Sequence, residues 1–255
     1  MKKSQRQSLE SSGDTHRFSV RLRSATQEVH SMAEQTSFIR GFLRGTASHA
    51  SYLRLITDLL PVYEAMEGEM ERLSKTGDEA IKLFYMPEIS RCPALRRDIR
   101  YLSQTYLPEG EDAPEPSPHS REYAQRIREV AESEQPLQLV GHLYTRYLGD
   151  LSGGQVLARI ARNSMQLNEG EGLDFYAFRR INSLADTKQR FRSALDQIGG
   201  DPQLEQLIID EAVRSFRYNI AIFNDLPGNS LLSIWRNLTA LFRRAPDPVT
   251  VAGSA

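Results

Sequence analysis

Between Phe18 and Leu226 the apolar residues recur every three to four positions, and no convincing run of strict alternation interrupts them. A period of 3.6 places one stripe of side chains along a helix, whereas a strand needs a period of two, so the chain is confined to an all-α fold. The first helix carries Leu22, Ala25, Val29 and Ala33 as its stripe, and residues 38–43 form a short second helix ended near Gly45. A long helix over 51–73 turns Leu53, Ile56, Leu59, Leu60, Tyr63 and Met66 inward, with Pro61 expected to kink it or stagger its hydrogen bonding. Gly77, Pro87 and Pro93 cut 74–93 into short pieces, and 95–106 is helical again. The Pro-rich acidic stretch LPEGEDAPEPSPH (107–119) is expected to contain no packed element. Helices over 121–134, 136–168, 174–197 and 202–225 complete a single multi-helical domain, 17–226. Residues 1–16 read as a disordered polar tail, and 227–255 as a second tail with an amphipathic segment at 230–243. That segment is expected to dock on the domain or on a partner, although its arginines would also suit an anionic membrane.

Composition removes several classes of function. Lys and Arg total 32 against 33 Asp and Glu, so bulk charge does not drive this chain to nucleic acid. The single cysteine, Cys92, cannot close an internal disulfide, which points to a reducing compartment. The N-terminal residues lack the apolar core of a secretory signal, and no window reaches the ~18 apolar residues of a membrane span, so a cytoplasmic location is expected. A di-iron carboxylate bundle needs Glu-x-x-His on two helices, and that motif does not occur here. Neither a dinucleotide nor a P-loop glycine pattern is present.

Two features remain that can carry chemistry. His30 lies at the border of the first helix's apolar stripe, about 80° around the wheel from Leu22. Glu34 is one turn beyond it, and Arg23 is two turns before it at ~10 Å along nearly the same edge. An imidazole at the mouth of an apolar groove, with a carboxylate and a cation near it, suits heme: the nitrogen binds iron and the cation meets a propionate. The same position is also compatible with a satisfied core or surface histidine. The second feature is YTRYLGDLSGGQ (144–155), which places Gly149, Gly153 and Gly154 inside a helical pattern. Each interior glycine costs ~1 kcal/mol against alanine, so three in six residues need a reason. Gly149 and Gly153 strip one face bare, either for a close helix crossing or for a flat ligand. Polar Asp150 and Ser152 beside them favour the ligand, because a half-buried aspartate can hold ordered water.

At these residues the chain resembles the heme oxygenase family. YTRYLGDLSGGQ is similar to that family's distal-helix signature, and LRSATQEVHSMAE (22–34) looks like its proximal helix; further similarity lies at 63–70, 85–98, 172–176, 187–192 and 215–224. The resemblance covers about 20–226. It implies heme b, as substrate and cofactor, sandwiched between a proximal and a kinked distal helix. His30 would be the proximal iron ligand, with Glu34 near its other nitrogen. Gly149, Gly153 and Gly154 would lie along the distal side. Asp150 would anchor a distal water network with Tyr63 and Arg146. Arg23, Tyr144, Lys188 and Arg192 would hold the propionates, and Phe216 and Asn219 would line the back of the pocket. The implied reaction is O2- and reductant-dependent cleavage at the α-meso carbon to biliverdin IXα, CO and Fe2+. The implied partners are an external electron donor such as ferredoxin, flavodoxin or a similar reductase, docking on basic residues Arg21, Arg23, Lys188, Arg190 and Arg192, and a biliverdin acceptor. Arg23 stands where many relatives have lysine, a change that keeps the charge. A non-catalytic heme carrier or sensor is the competing reading, and Asp150 and the glycines argue against it, since storage would not need them.

Overall fold

A computed structural model describes residues 17–168 and 170–226. The expected tails, including the 230–243 segment, lie outside the described residues. Within them the ordered elements are all helical, and the fold centres on α3 (His49–Ser74), whose 26 residues run through Pro61 without a break. Pro61 therefore does not end the helix. Ser48 and Ser51 close a capping box that starts α3 at His49, a turn fraction before the expected boundary. Tyr52, Ile56, Tyr63 and Met66 are almost fully buried along it, while Leu60 is only half-buried.

α5 (Cys92–Tyr106) and α6 (Pro118–Glu132) pack on α3. The Pro-rich loop ends earlier than its composition implies. Ser117 caps α6 through the Ser120 amide, Pro118 takes the first helical position, and the Asp58 carboxylate of α3 accepts from the Ser117 amide at 2.5 Å. Ser117 is thus buried, and the last residues of the loop are a packed helix start.

α1 (Phe18–Glu34) lies across α10 (Pro202–Asp225). Its buried stripe is Phe18, Leu22, Thr26, Val29 and Ala33, with Thr26 in place of the expected Ala25. The Thr26 hydroxyl donates to the Leu22 carbonyl at 2.8 Å, which satisfies it inside the core. Arg21 on α1 pairs with Glu205 on α10 at 2.5 Å. A short α2 (Ser37–Leu43), capped by Thr36, follows α1, and one-turn α4 (Glu79–Lys82) precedes α5.

Two expected helices are divided in the structure. The 136–168 stretch becomes a 3-10 turn, α7 (Leu139–Leu143), a five-residue π-turn (Tyr144–Leu148) and α8 (Gly149–Met165). The widening sits just before Gly149, where π-turns commonly mark function. α7 meets α10 at Gly141, where a Cβ would lie 2.6 Å from the Ile208 carbonyl oxygen and 2.7 Å from the Ala212 amide nitrogen. The expected helix over 174–197 begins only at α9 (Leu184–Ile198). The Asp98 carboxylate takes the Asp174 and Phe175 amides at 2.9 and 2.7 Å, and Arg91 takes the Phe175 and Ala177 carbonyls at 3.1 Å. With those backbone groups committed, residues 174–178 form a 3-10 turn and an extended strap, and Ser183 caps α9.

Candidate active site

α1, α2, α3, α8 and α10 enclose a cavity of about 420 Å³, within the range of small-molecule and cofactor sites. His30 and Ala33 of α1 and Phe216 of α10 form one wall. The His30 ring meets the Phe216 ring edge-on, with centroids 5.5 Å apart and planes at 78°. The His30 Nδ1 lies 3.7 Å from the Glu34 carboxylate, one helical turn away, and both side chains are more than half exposed toward the cavity mouth. The facing wall is the start of α8. Gly149 and Gly153 both line it, and a Cβ built on either meets no heavy atom within 4 Å. These glycines therefore do not serve a close helix crossing. Gly154 is packed instead: its Cβ would lie 3.3 Å from Tyr176 Cδ1, so it sits against the strap and does not line the cavity.

Deep in the cavity Asp150 joins a buried polar cluster. The Tyr63 hydroxyl donates to Asp150 Oδ2, and Arg146 Nη2 donates to Oδ1 at 3.3 Å. Arg146 Nε donates to the Tyr63 hydroxyl at 3.1 Å and Nη1 to Asn219 Oδ1 at 2.7 Å. Asn219 in turn donates to the Ser215 carbonyl at 2.7 Å. Burial pushes the Asp150 carboxyl up, and Arg146, the Tyr63 hydroxyl and Arg91 pull it back. Arg146 lies in the π-turn and is buried, and Gly149, the next residue after that turn, lines the cavity. Burial pushes the Tyr63 phenol well up, so it is a neutral donor.

Of the remaining sequence candidates, Arg23 and Arg192 lie near Tyr144, and neither these three nor Lys188 lines the cavity. The Tyr144 hydroxyl lies 3.4 Å from Thr26 Oγ1, and burial raises its phenol against the opposing influence of Thr26, Arg23 and Arg192. Lys188 precedes Arg192 by one turn of α9 and is half-buried. Of the other basic residues expected there, Arg21 is paired with Glu205 and Arg190 with Glu88.

Sequence reasoning did not single out several residues that hold this site. His142, on α7, is fully buried and its Nε2 hydrogen-bonds the Glu211 carboxylate of α10 at 3.0 Å, and Arg126 also pairs with Glu211. Glu211 is consequently held at a carboxyl pKa of about 2 despite its burial. With Gly141 beside it, this pair locks the helix that leads into the π-turn against α10. Gly141 stood inside a helical pattern, and that was the one local signal available.

Comparison with known proteins agrees with this geometry. The sequence profile described as heme oxygenase matches residues 16–225. The heme oxygenase of Rhodella violacea is 39% identical over 210 residues, 82% of this chain and 87% of that protein. The structure of heme oxygenase from Leptospira interrogans aligns with TM-score 0.75 and 38% identity, over 82% of this chain and 99% of that one. The crystal structure of heme oxygenase-1 from Synechocystis in complex with heme aligns with TM-score 0.77 and 35% identity, over 89% and 98%. On the length of these matches, and on a site whose imidazole faces bare backbone across one cavity, the chain belongs to the heme oxygenase family.

Proposed function

We propose that heme b occupies this cavity with His30 Nε2 as its proximal ligand, and that the ring is opened at the α-meso carbon to give biliverdin IXα, CO and Fe2+. As a family member the chain is an oxidoreductase that converts heme to biliverdin with O2 and electrons from an external donor. The observation that carries the assignment is the opposition, in one cavity, of an imidazole and the open backbone at Gly149 and Gly153. The residues present fit a flat, apolar, iron-bearing group: a nitrogen ligand on one wall and space for a ring at the other. When bound, heme supplies the iron that activates O2 and the carbon that is oxidised.

The chain's own groups then have distinct tasks. The Glu34 carboxylate near Nδ1 favours the tautomer with Nε2 unprotonated, which is the form that ligates a metal. The edge of Phe216 restricts rotation of that ring. Each Asp150 oxygen receives one protein donor, so each keeps acceptor capacity for a water in the cavity. A water held there moves protons to the distal side without a protein acid touching the reacting atoms, and Arg146 and Asn219 keep the carboxylate aimed. Arg23, Lys188 and Arg192, with the Tyr144 hydroxyl, take the propionates and so choose which meso edge faces the distal pocket. The same positive edge suits an acidic ferredoxin or flavodoxin as electron donor.

The test is to supply purified protein with heme, O2 and a ferredoxin reducing system and to identify the product by HPLC. Biliverdin IXα is expected. An unaltered Soret band would leave a heme carrier or sensor, and another biliverdin isomer would overturn the propionate clamp.

A further inference from the structure

The far end of α8 is held by side chains that take no part in lining the cavity. α8 stops at Met165, whose carbonyl belongs to the last turn and so lacks a partner inside the helix. His49, the first residue of α3, supplies one: its Nε2 lies 2.8 Å from that oxygen. A carbonyl only accepts, so the proton sits on Nε2 and the imidazole is the donor. The ring of Tyr106, the last residue of α5, stacks on the imidazole with centroids 3.7 Å apart and planes at 24°. Tyr106 in turn meets Tyr101 edge-on at 6.4 Å.

The chain leaving α8 is tied to the same place. Gln166 caps the helix in the left-handed region at φ 53°, where glycine is usual. Beyond it, the Glu171 carboxylate accepts from the Tyr101 hydroxyl at 2.7 Å and from the Asn168 side-chain amide at 2.9 Å. At Gly172 the backbone comes so close to α5 that a Cβ would lie 3.2 Å from both Tyr101 and Leu102. On the other side, a Cβ on Gly45 would lie 3.8 Å from Ser164 Cβ, so the linker before α3 also touches the last turn. The cavity end of α8 is built differently. A π-turn precedes it, and a Cβ on Gly149 or Gly153 meets nothing within 4 Å. One helix is thus clasped at its C-terminal end and bare at its N-terminal end.

We propose that His49 is a positioning residue for the distal wall: with Tyr106 and Tyr101 it clasps the end of α8 to α3 and α5, so that α8 moves by bending at Gly149 and Gly153 around a fixed end and not by swinging as a rod. The proposal rests on the reading of α8 as the distal wall. α8 gives Gly149, Asp150, Gly153, Val156 and Leu157 to the cavity, so the direction of its axis sets the height of that wall over His30. A helix is stiff over the ~12 Å from Met165 back to Leu157, and a displacement at the clasp is carried to the cavity.

The experiment uses the full-length protein. Hydrogen–deuterium exchange on the apoprotein compares α8 with α6 and α10, and heme transfer to excess apomyoglobin gives the dissociation rate from the loaded protein. His49→Phe keeps a ring on Tyr106 but removes the donor. It should speed exchange over 158–165 about fivefold, the worth of one neutral hydrogen bond, and leave α6 and α10 unchanged. Heme loss should quicken about threefold or more. His49→Lys restores a donor on a stem that reaches the carbonyl, and should return both readings most of the way to wild type. Exchange that is unchanged in His49→Phe, or that rises equally in all three helices, overturns the clasp. A heme dissociation rate equal to wild type also overturns it, because the bond would then serve the fold and not the wall. Failure of His49→Lys to recover either reading overturns the role of the donor. Should His49→Phe not fold, Tyr106→Ala decides: it removes the stack alone, so the same local pattern supports the proposal and a uniform or absent change overturns it. A wild-type protein that binds no heme sinks the functional reading instead, and the exchange pattern still decides the clasp.

Discussion

Replacing Gly149 and Gly153 by alanine should make the empty protein more stable and the loaded one worse. Both glycines are helical and a Cβ on either meets nothing within 4 Å, so neither substitution creates a clash in the apoprotein. Alanine is worth about 0.8–1 kcal/mol over glycine inside a helix. Gly153 should return that full amount, and Gly149, at the first residue of α8, somewhat less. The pair should therefore gain roughly 1.5 kcal/mol, which for a chain of this size raises Tm by about 3–6 °C. The same two methyl groups project into the space assigned to the macrocycle. Overpacking of that kind typically costs about 1–3 kcal/mol, equivalent to a heme affinity lower by about 5- to 150-fold. Thermal unfolding of the apoprotein by circular dichroism and heme titration at the Soret band measure the two halves independently. A lower apoprotein Tm would show that the backbone here requires glycine. An unchanged heme affinity would show that this face does not meet the ring, and the functional assignment would lose its main support.

Three further outcomes follow from the same geometry. His30→Ala should abolish native iron ligation and nearly all biliverdin formation, with added imidazole restoring part of both; full activity without imidazole would exclude His30 as the ligand. Asp150→Ala should bind heme normally in a Soret titration yet lose at least about tenfold in the rate of biliverdin formation, and a normal rate would refute the proton-relay role. Because the Glu211 carboxyl is depressed to about 2, its contribution to stability is complete above its ordinary range near 4.5 and disappears as pH falls toward 2. Glu211→Gln should therefore flatten the loss of stability between those pH values in urea unfolding, at the cost of lower stability at neutral pH; an unaltered acid limb would mean that the His142–Glu211 pair does not couple α7 to α10 as described.

Much of the architecture was readable from residue order because helices are local objects. The stripe on α1, the stop near Gly45, and the punctuation by Gly77, Pro87 and Pro93 all express contacts three or four residues apart, or the conformational limits of single residues. So too were the two walls of the site, since His30 with Glu34 and Gly149 with Gly153 are each spaced by one helical turn. The readings that needed correction lie where a distant group intervened. Asp98 and Arg91 stop a helix from starting at Asp174, although the local pattern permits one. Asp58 packs the end of a loop whose composition looks wholly solvent-bound. Thr26, by contrast, replaces Ala25 for a local reason: the Leu22 carbonyl, four residues back in the same helix, satisfies its hydroxyl.

Residue order alone therefore established helices throughout, an imidazole at the rim of an apolar stripe, and a stretch of backbone deliberately free of side chains. It could not establish that Tyr63 reaches Asp150 across 87 positions, or that Gly154 serves packing while its neighbour faces the cavity. Helical periodicity is written in short-range steric and solvation preferences, so every segment carries its own record of it. The pairing of buried charges and hydroxyls is settled by which helices meet, and no segment contains that information until α3, α8 and α10 have closed around one another.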